Sequence, residues 1–124
     1  YILRLLNKNA PLQLNYSISL AYVVKSLSEI SNLLRHIAKH YINNNDKEIF
    51  KIMDKLQLLL QAMQNTYYNE KKINEFFSAS EDLRSFLNQS KIDIAMKENV
   101  FMIRDAAVNL VRQTLIINFK RNNV

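Results

Sequence analysis

Cysteine, glycine and tryptophan are absent from the 124 residues of this chain, and proline occurs once, at position 11. Without cysteine the chain has no disulfide, no thiol nucleophile and no cysteine-ligated zinc or iron–sulfur site. Without glycine it lacks the residue that phosphate-binding loops, dinucleotide fingerprints, nucleophile elbows and two-residue hairpins need for positive φ or close backbone approach. The sequence therefore predicts a mainly helical protein, and we expect no cofactor.

Long apolar runs are also absent from the sequence. Apolar runs such as residues 20–24 and 58–60 contain only a few residues, whereas a helix that crosses a bilayer needs roughly 20. The chain begins with Tyr1 and shows no charged-then-apolar leader, so we expect residues 1–124 to be one domain of a longer protein. The formal net charge is +6, but Lys and Arg are spread along the chain, which is typical of a solvated basic surface and favours an anionic partner only weakly.

The strongest pattern is an apolar stripe on a first predicted helix. Its members step by three and four residues, which places them on one face, while Lys25, Glu29 and Lys39 fall elsewhere. The pattern predicts a helix that begins just after Pro11 and ends in the asparagines at 43–45. The stripe comprises Leu20, Val23, Leu27, Ile30, Leu34, Ile37 and Tyr41.

A second helix is predicted to begin around Asp46, where Asn45 and Glu48 have the spacing of a capping box. Its apolar periodicity fades near residues 65–69. The predicted inner face consists of Ile49, Met53, Leu56, Leu60 and Met63.

The third and fourth predicted helices cover about residues 70–89 and 92–119. Ser78 and Glu81 form a second capping-box pattern, which predicts a bend or restart within the third helix. The apolar residues of the third helix are Ile73, Phe76, Phe77, Leu83, Phe86 and Leu87. The fourth helix has an apolar stripe with a gap at Thr114, and this stripe comprises Met96, Val100, Ile103, Ala107, Leu110 and Ile117.

Four such stripes joined by short polar loops indicate an all-α fold, an antiparallel helical bundle of about four helices. No linker rich in Pro, Gly or Ser interrupts the chain, so we expect a single domain. The first and fourth stripes also echo each other, because an offset of 73 positions aligns Asn32 with Asp105 and Lys39 with Arg112. The echo indicates either an internal duplication or the chance alignment of two heptad-like helices.

Two segments of these helices carry a family-like pattern. Residues 27–32 read Leu-Ser-Glu-Ile-Ser-Asn and are followed by His-Ile-Ala-Lys at 36–39, and residues 103–111 read Ile-Arg-Asp-Ala-Ala-Val-Asn-Leu-Val. Both resemble the motif that ends each three-helix repeat of the PhoU-like phosphate-uptake regulators, a family that includes the C-terminal domain of some sodium/phosphate cotransporters. The resemblance implies a PhoU-like bundle made of the last helix of one repeat and all of the next. It also implies a non-enzymatic regulatory or docking role associated with phosphate transport.

The metal-binding positions of that family are poorly matched in this sequence. Its paired carboxylates, one helical turn apart, fall on Ser28 and Asn32 in the first copy and on Phe101 and Asp105 in the second. Only Asp105 retains a carboxylate, and a hard cation needs several oxygen ligands. Asp105 is therefore a weak metal candidate at a degenerate site.

Arg35, His36 and His40 support an alternative, enzymatic interpretation. An Arg followed by a polar residue, with a His five positions after the Arg, resembles the active-site motif of HEPN-type ribonucleases. In such an enzyme a His moves a proton on or off the ribose 2′-hydroxyl and the Arg holds the scissile phosphate, without a metal. The structural interpretation, which we favour, is that Arg and His near a helix C-terminus cap the last carbonyls and complement the helix dipole.

Two further patterns give weaker indications of a zinc site and of nucleic-acid binding. His36 and His40 lie four residues apart, a spacing that zinc sites use, but no third ligand is evident, so we interpret them as surface residues. Tyr67 and Tyr68, close to the lysines at 71–72, would suit stacking on nucleic-acid bases if they are exposed. Helical spacing instead assigns the phenylalanines to the core.

The sequence thus favours a regulatory or interaction domain that is not an enzyme. Its expected partner is another protein or a membrane transporter, and homo-oligomerisation is a further option. Nucleic acid is expected as a partner only in the ribonuclease interpretation with Arg35, His36 and His40. The expected compartment is the cytoplasm, with the domain free or as the soluble part of a membrane protein.

Overall fold

The computed structural model describes residues 2–41 and 47–122, with side chains for residues 17–39 and 47–119. Within these ranges the chain forms four α-helices, one 3₁₀ turn and no strand. The helices are α1 (Ile2–Tyr41), α2 (Lys47–Tyr68), α3 (Ile73–Gln89) and α4 (Ile94–Asn122), and the 3₁₀ turn Glu70–Lys72 joins α2 to α3. The predicted all-α helical bundle is confirmed. None of the described helices combines the length and the apolar character that a bilayer crossing requires.

Two predicted helix boundaries are wrong. Pro11 lies inside α1, which begins at Ile2, because a proline removes one backbone hydrogen bond and crowds a carbonyl without having to end a helix. No restart occurs at Ser78, since α3 is one continuous helix from Ile73 to Gln89. Capping-box spacing acts only at a helix start, where backbone N–H groups lack partners within the helix. The cap predicted at Asn45 lies outside the described residues.

The four helices associate mainly as two pairs. α1 packs along α4 and α2 packs along α3, while α2 also crosses α4 and touches α1 only slightly. α1 and α4 run antiparallel, because Leu33 shares a groove with Met102 and Ala106, whereas Leu27 shares one with Leu110. As a result, α1 is held almost entirely by α4, and most of its side chains within residues 17–39 are exposed.

α1 and α4 pack along a seam, and the buried positions of both helices have the four–three spacing of a coiled coil. On α1 the seam comprises Ser19, Val23, Ser26, Ile30, Leu33 and Ile37, all of them buried or half-buried. On α4 the buried residues with this spacing are Met96, Val100, Ile103, Ala107, Leu110, Thr114 and Ile117. The predicted stripe of α4 is confirmed in full, and Thr114 continues it instead of interrupting it. Its hydroxyl donates a hydrogen bond to the Leu110 carbonyl at 2.9 Å, which allows the side chain to be buried.

The predicted stripe of α1 is only partly correct. Val23, Ile30 and Ile37 are buried as predicted, but Leu27 is 47% exposed and its assignment to the core is wrong. Ser19 and Ser26 take the seam positions that the sequence pattern gives to Leu20 and Leu27. Leu20 and Leu34 are half-buried beside the core, and the side chain of Tyr41 lies outside the described residues. The leucines of α1 therefore flank the seam.

α2, α3 and α4 enclose the remaining core. Phe76, Leu83 and Leu87 of α3 are fully buried, as predicted, whereas Phe77 is 47% exposed and its core assignment is wrong. The reason is geometric, since Phe76 already points into the core and the next residue of a helix lies about 100° around the axis. Of the predicted inner face of α2, three residues are buried, and two are half-buried. The buried three are Ile49, Leu56 and Met63, and the half-buried two are Met53 and Leu60.

Polar contacts fix α2 against its neighbours. Lys55 Nζ lies 2.7 Å from Asp82 Oδ2 on α3 and 5.2 Å from the centre of the Phe86 ring. At the start of α2, Glu48 Oε2 accepts a hydrogen bond from the Ser90 hydroxyl at 3.1 Å. Glu48 thereby holds the α3–α4 connection, and these contacts orient α2 toward α3 and away from α1.

Candidate protein-binding cleft

An open cleft separates α1 from α2 along the surface. Its larger part has a volume of about 520 Å³ and reaches down to the buried Leu110 of α4. Its smaller part, about 400 Å³, shares Leu60 and Gln64 with the larger one. α1 lines the two parts with Val23, Leu27, Ile30 and Leu34, and the apolar and aromatic lining from α2 consists of Met53, Leu56, Leu60, Met63, Tyr67 and Tyr68. We call this site the α1–α2 cleft.

The cleft exists because α1 carries more apolar surface than α4 covers. Leu27 and Leu34 are seven residues apart, so they lie on the same flank of α1, beside the seam with α4. That flank faces α2, but α2 is packed against α3 and α4 and does not close over it. The apolar side chains on this flank therefore stay partly exposed, which makes the cleft a candidate for binding.

The edges of the cleft on α2 are polar or aromatic. Gln57, Gln61 and Gln64 are exposed and succeed each other at intervals of four and three, so they form one row of amides. At the end of α2, Tyr67 is 43% and Tyr68 79% exposed, and their rings meet edge to face with centroids 5.3 Å apart. The cleft therefore has an apolar floor, an amide edge and an aromatic end, which suits recognition of an amphipathic surface.

A second groove, between α1 and α4 on the side opposite the cleft, brings the two family-like segments together. Glu29 and Asn32 of α1 line it with Asp105 and Asn109 of α4, around a volume of about 420 Å³. Asn32 and Asp105 are the positions that the 73-residue offset equates. The groove contains two carboxylates, and across the described side chains no cluster of three or more His, Asp or Glu that could hold a metal ion occurs.

Asp105 forms an ion pair with the neighbouring Arg104. Its carboxylate lies 3.5 Å from Nη1 of Arg104, and its side chain is 68% exposed. Arg104 is half-buried, donates from Nε to the Ser80 carbonyl at 3.1 Å and contacts Glu81 at 3.3 Å. This arginine therefore ties α4 to α3. The charges around Asp105 thus have a structural role.

Of the ribonuclease motif, the structure describes the side chains of Arg35 and His36. Arg35 and His36 are exposed on α1, and neither lines the α1–α2 cleft. His40 lies in α1, but its side chain is outside the described residues. The exposed Arg35 belongs to the polar surface beside Leu34, so the motif adds a charge near one end of the cleft.

The chain was compared with protein-family models, with curated proteins and with solved structures. No match was found in any of them. The PhoU-like and HEPN-like resemblances therefore stay predictions, and the interpretation of the site depends on its geometry.

The sequence does not identify the cleft, although its residues belong to other predicted features. The predicted buried stripes include Leu27, Leu34 and Leu60, and Tyr67 and Tyr68 form the predicted base-stacking pair. The sequence feature that points to the cleft is the seven-residue spacing of leucines on α1, next to a seam that contains serines. Two adjacent apolar rows on one helix indicate that it can pack against two neighbours.

Proposed function

We propose that this domain is a non-enzymatic interaction module that binds a helix of a partner protein in the α1–α2 cleft. The partner is a protein or a membrane transporter. The resemblance to PhoU-like regulators suggests that the partner belongs to a phosphate-transport system and that the domain works in the cytoplasm. The observation that carries the proposal is the open apolar cleft itself.

The dimensions of the cleft suit a helix. Its lining extends from Val23 to Leu34 on α1, which corresponds to about 17 Å along the helix axis at 1.5 Å per residue. That length equals about three turns of a bound helix, and helix-in-groove recognition uses apolar anchors at i, i+3, i+4 and i+7 over such a distance. The lining of large aliphatic and methionine side chains is adaptable to such anchors.

The lining supports binding more than chemistry. Among its described residues Asp54 is the single ionisable carboxylate, and the other polar groups are three glutamine amides and two tyrosine hydroxyls. Acid–base catalysis needs groups positioned in reach of each other around a reacting atom. The arrangement in the cleft instead resembles a recognition surface with an apolar centre and a polar edge.

A synthetic peptide tests this proposal without knowledge of the natural partner. The probe is a fluorescein-labelled 18-residue helix with Leu at i, i+3, i+4 and i+7 on one face and Gln on the other, measured by fluorescence anisotropy. We expect a Kd of about 10–100 µM, because an unoptimised short helix loses much of its apolar gain to ordering. Leu27→Asp should weaken binding at least about tenfold by placing a charge in the apolar wall.

Leu58→Asp is the matched control for this variant. Leu58 is 64% exposed on α2 and does not line the cleft, whereas Leu27 is 47% exposed and does. Both changes introduce the same charge at an exposed leucine, so circular dichroism and thermal unfolding should show both variants folded. If the probe does not bind, or if Leu58→Asp weakens binding as much as Leu27→Asp, the proposed function is wrong.

A further inference from the structure

We infer that the partner helix of the α1–α2 cleft is acidic, with Asp or Glu along the polar face that remains outside the cleft. This inference rests on the proposed function and specifies the chemistry of its ligand. It follows from the charges at the two ends of the cleft and from the net charge of the chain.

Both ends of the cleft carry exposed cations. At one end, Arg35 directly follows the lining residue Leu34 on α1. At the other end, the 3₁₀ turn that follows Tyr68 exposes Lys71 and Lys72. None of these three cations forms an ion pair with another described residue. They are therefore able to pair with an incoming ligand.

The acidic groups at the cleft are fewer. Asp54 lines the smaller part of the cleft, and Glu70 is exposed in the turn beside Lys71. Two other charged residues adjoin the lining in sequence but face elsewhere, since Glu29 lines the α1–α4 groove and Lys55 pairs with Asp82. Arg35, Lys71 and Lys72 outnumber Asp54 and Glu70, so the two ends of the cleft together carry one net positive charge.

The same charges argue against a second copy of this chain as the occupant. Each copy carries a formal net charge of +6, so two copies repel each other as they approach, and equal cations would meet around a two-fold interface. An acidic helix is attracted both by the whole chain and by the cations at the ends of the cleft. Charges at the edge of an interface act mainly on encounter and selectivity, while apolar contacts supply affinity.

Three peptides with the same leucine face separate the two proposals. Their polar faces consist of Glu, Gln or Lys, and anisotropy is measured at 50 mM and 500 mM NaCl. At low salt we expect the Glu peptide to bind about fivefold tighter than the Lys peptide, because ion pairs between exposed charges each contribute little to binding. At high salt the difference should shrink below about twofold, because exposed charges are screened beyond about 4–5 Å at 0.5 M salt.

Charge-reversal variants test which lysines cause the preference for the Glu peptide. The double variant Lys71→Glu, Lys72→Glu should abolish or invert the preference for the Glu peptide. The control Lys51→Glu, Lys91→Glu changes the net charge equally at exposed residues that do not line the cleft, and it should retain more than half of the preference. Equal effects of the two double variants would overturn the role assigned to the cations at the cleft.

The peptide experiments distinguish failure of the acidic-partner inference from failure of helix binding itself. If all three peptides bind with equal Kd and Leu27→Asp weakens each of them, the cleft binds helices but the acidic partner is wrong. If no peptide binds, both proposals fail. Binding to vesicles of phosphatidylcholine and phosphatidylserine at 3:1 that Leu27→Asp abolishes, without peptide binding, would replace the acidic helix with an anionic membrane surface.

Discussion

Leu27 of α1 and Leu60 of α2 line the same cleft from opposite helices, and the buried Leu110 of α4 lies at its floor. Leu27 is nearly half exposed, although it belongs to the strongest apolar stripe of the sequence. A large apolar side chain at this place contributes little to folding and is available for binding. Leu27 differs in this respect from the buried residues of α1, which stabilise the fold.

Ile30 and Leu27 should differ strongly in their contribution to stability. Ile30 is buried in the α1–α4 seam, so Ile30→Ala should lower the free energy of unfolding by about 3 kcal/mol. Leu27→Ala should lower it by less than about 1 kcal/mol, because the side chain is half exposed. Urea denaturation of both variants measures the difference. Equal losses would show that the cleft is closed in solution.

Arg104 should be a structural arginine. Arg104→Ala removes the hydrogen bond to the Ser80 carbonyl and the contact with Glu81, and we expect a loss of about 1–2 kcal/mol in unfolding free energy. Arg104→Lys should recover less than half of this loss, since an ammonium group cannot reproduce the planar, forked geometry of the guanidinium. Arg112→Ala is the control at an exposed arginine of the same helix, with a change below about 0.5 kcal/mol.

Thr114 provides a test of the buried stripe of α4. Its hydroxyl donates to the carbonyl of Leu110, a group within the same helix, and its side chain is buried. Thr114→Val keeps the volume, so unfolding free energy should change by less than about 1 kcal/mol. Thr114→Ala leaves a cavity and should cost about 1–2 kcal/mol. Thermal unfolding measures both, and a larger loss for valine than for alanine would contradict the packing account.

How much of this structure the sequence predicts depends on how many neighbours a helix has. The stripe of α4 is predicted in full, because α4 is packed by α1 on one side and by α2 on another, and a wide apolar face is buried. The stripe of α1 is predicted wrongly at Leu27, because α1 has one extensive neighbour and hydrophobic spacing does not reveal which flank that neighbour covers. Ser19 and Ser26 are classed as polar in the sequence, yet they occupy the seam.

The candidate site is less predictable than the helices. Leucine spacing identifies an apolar face but not whether a neighbouring helix closes over it, and that depends on the contacts of α2 with α3. Lys55 with Asp82 and Glu48 with Ser90 join elements 27 and 42 residues apart in sequence. Such long-range contacts leave no periodic signal, so the α1–α2 cleft becomes visible only in the folded chain.

The non-enzymatic interpretation makes a prediction about RNA. The purified domain, incubated with a mixed RNA substrate in EDTA, should give no cleavage above background, and His40→Ala should behave identically. The metal chelator excludes contaminating metal-dependent nucleases, and a metal-independent HEPN-like enzyme would still act. Cleavage that disappears in His40→Ala would make Arg35 and His40 an active site and would overturn the non-enzymatic interpretation.

The most direct test of the central claim is to map where a helix binds. Titration of the ¹⁵N-labelled domain with the Leu/Gln peptide, followed by two-dimensional NMR, reports which backbone amides change. The account predicts that the largest shifts cluster at residues 23–34 of α1 and 53–68 of α2, the two walls of the cleft. Shifts concentrated instead on the exposed face of α4, around Ile94 and Met102, would contradict it.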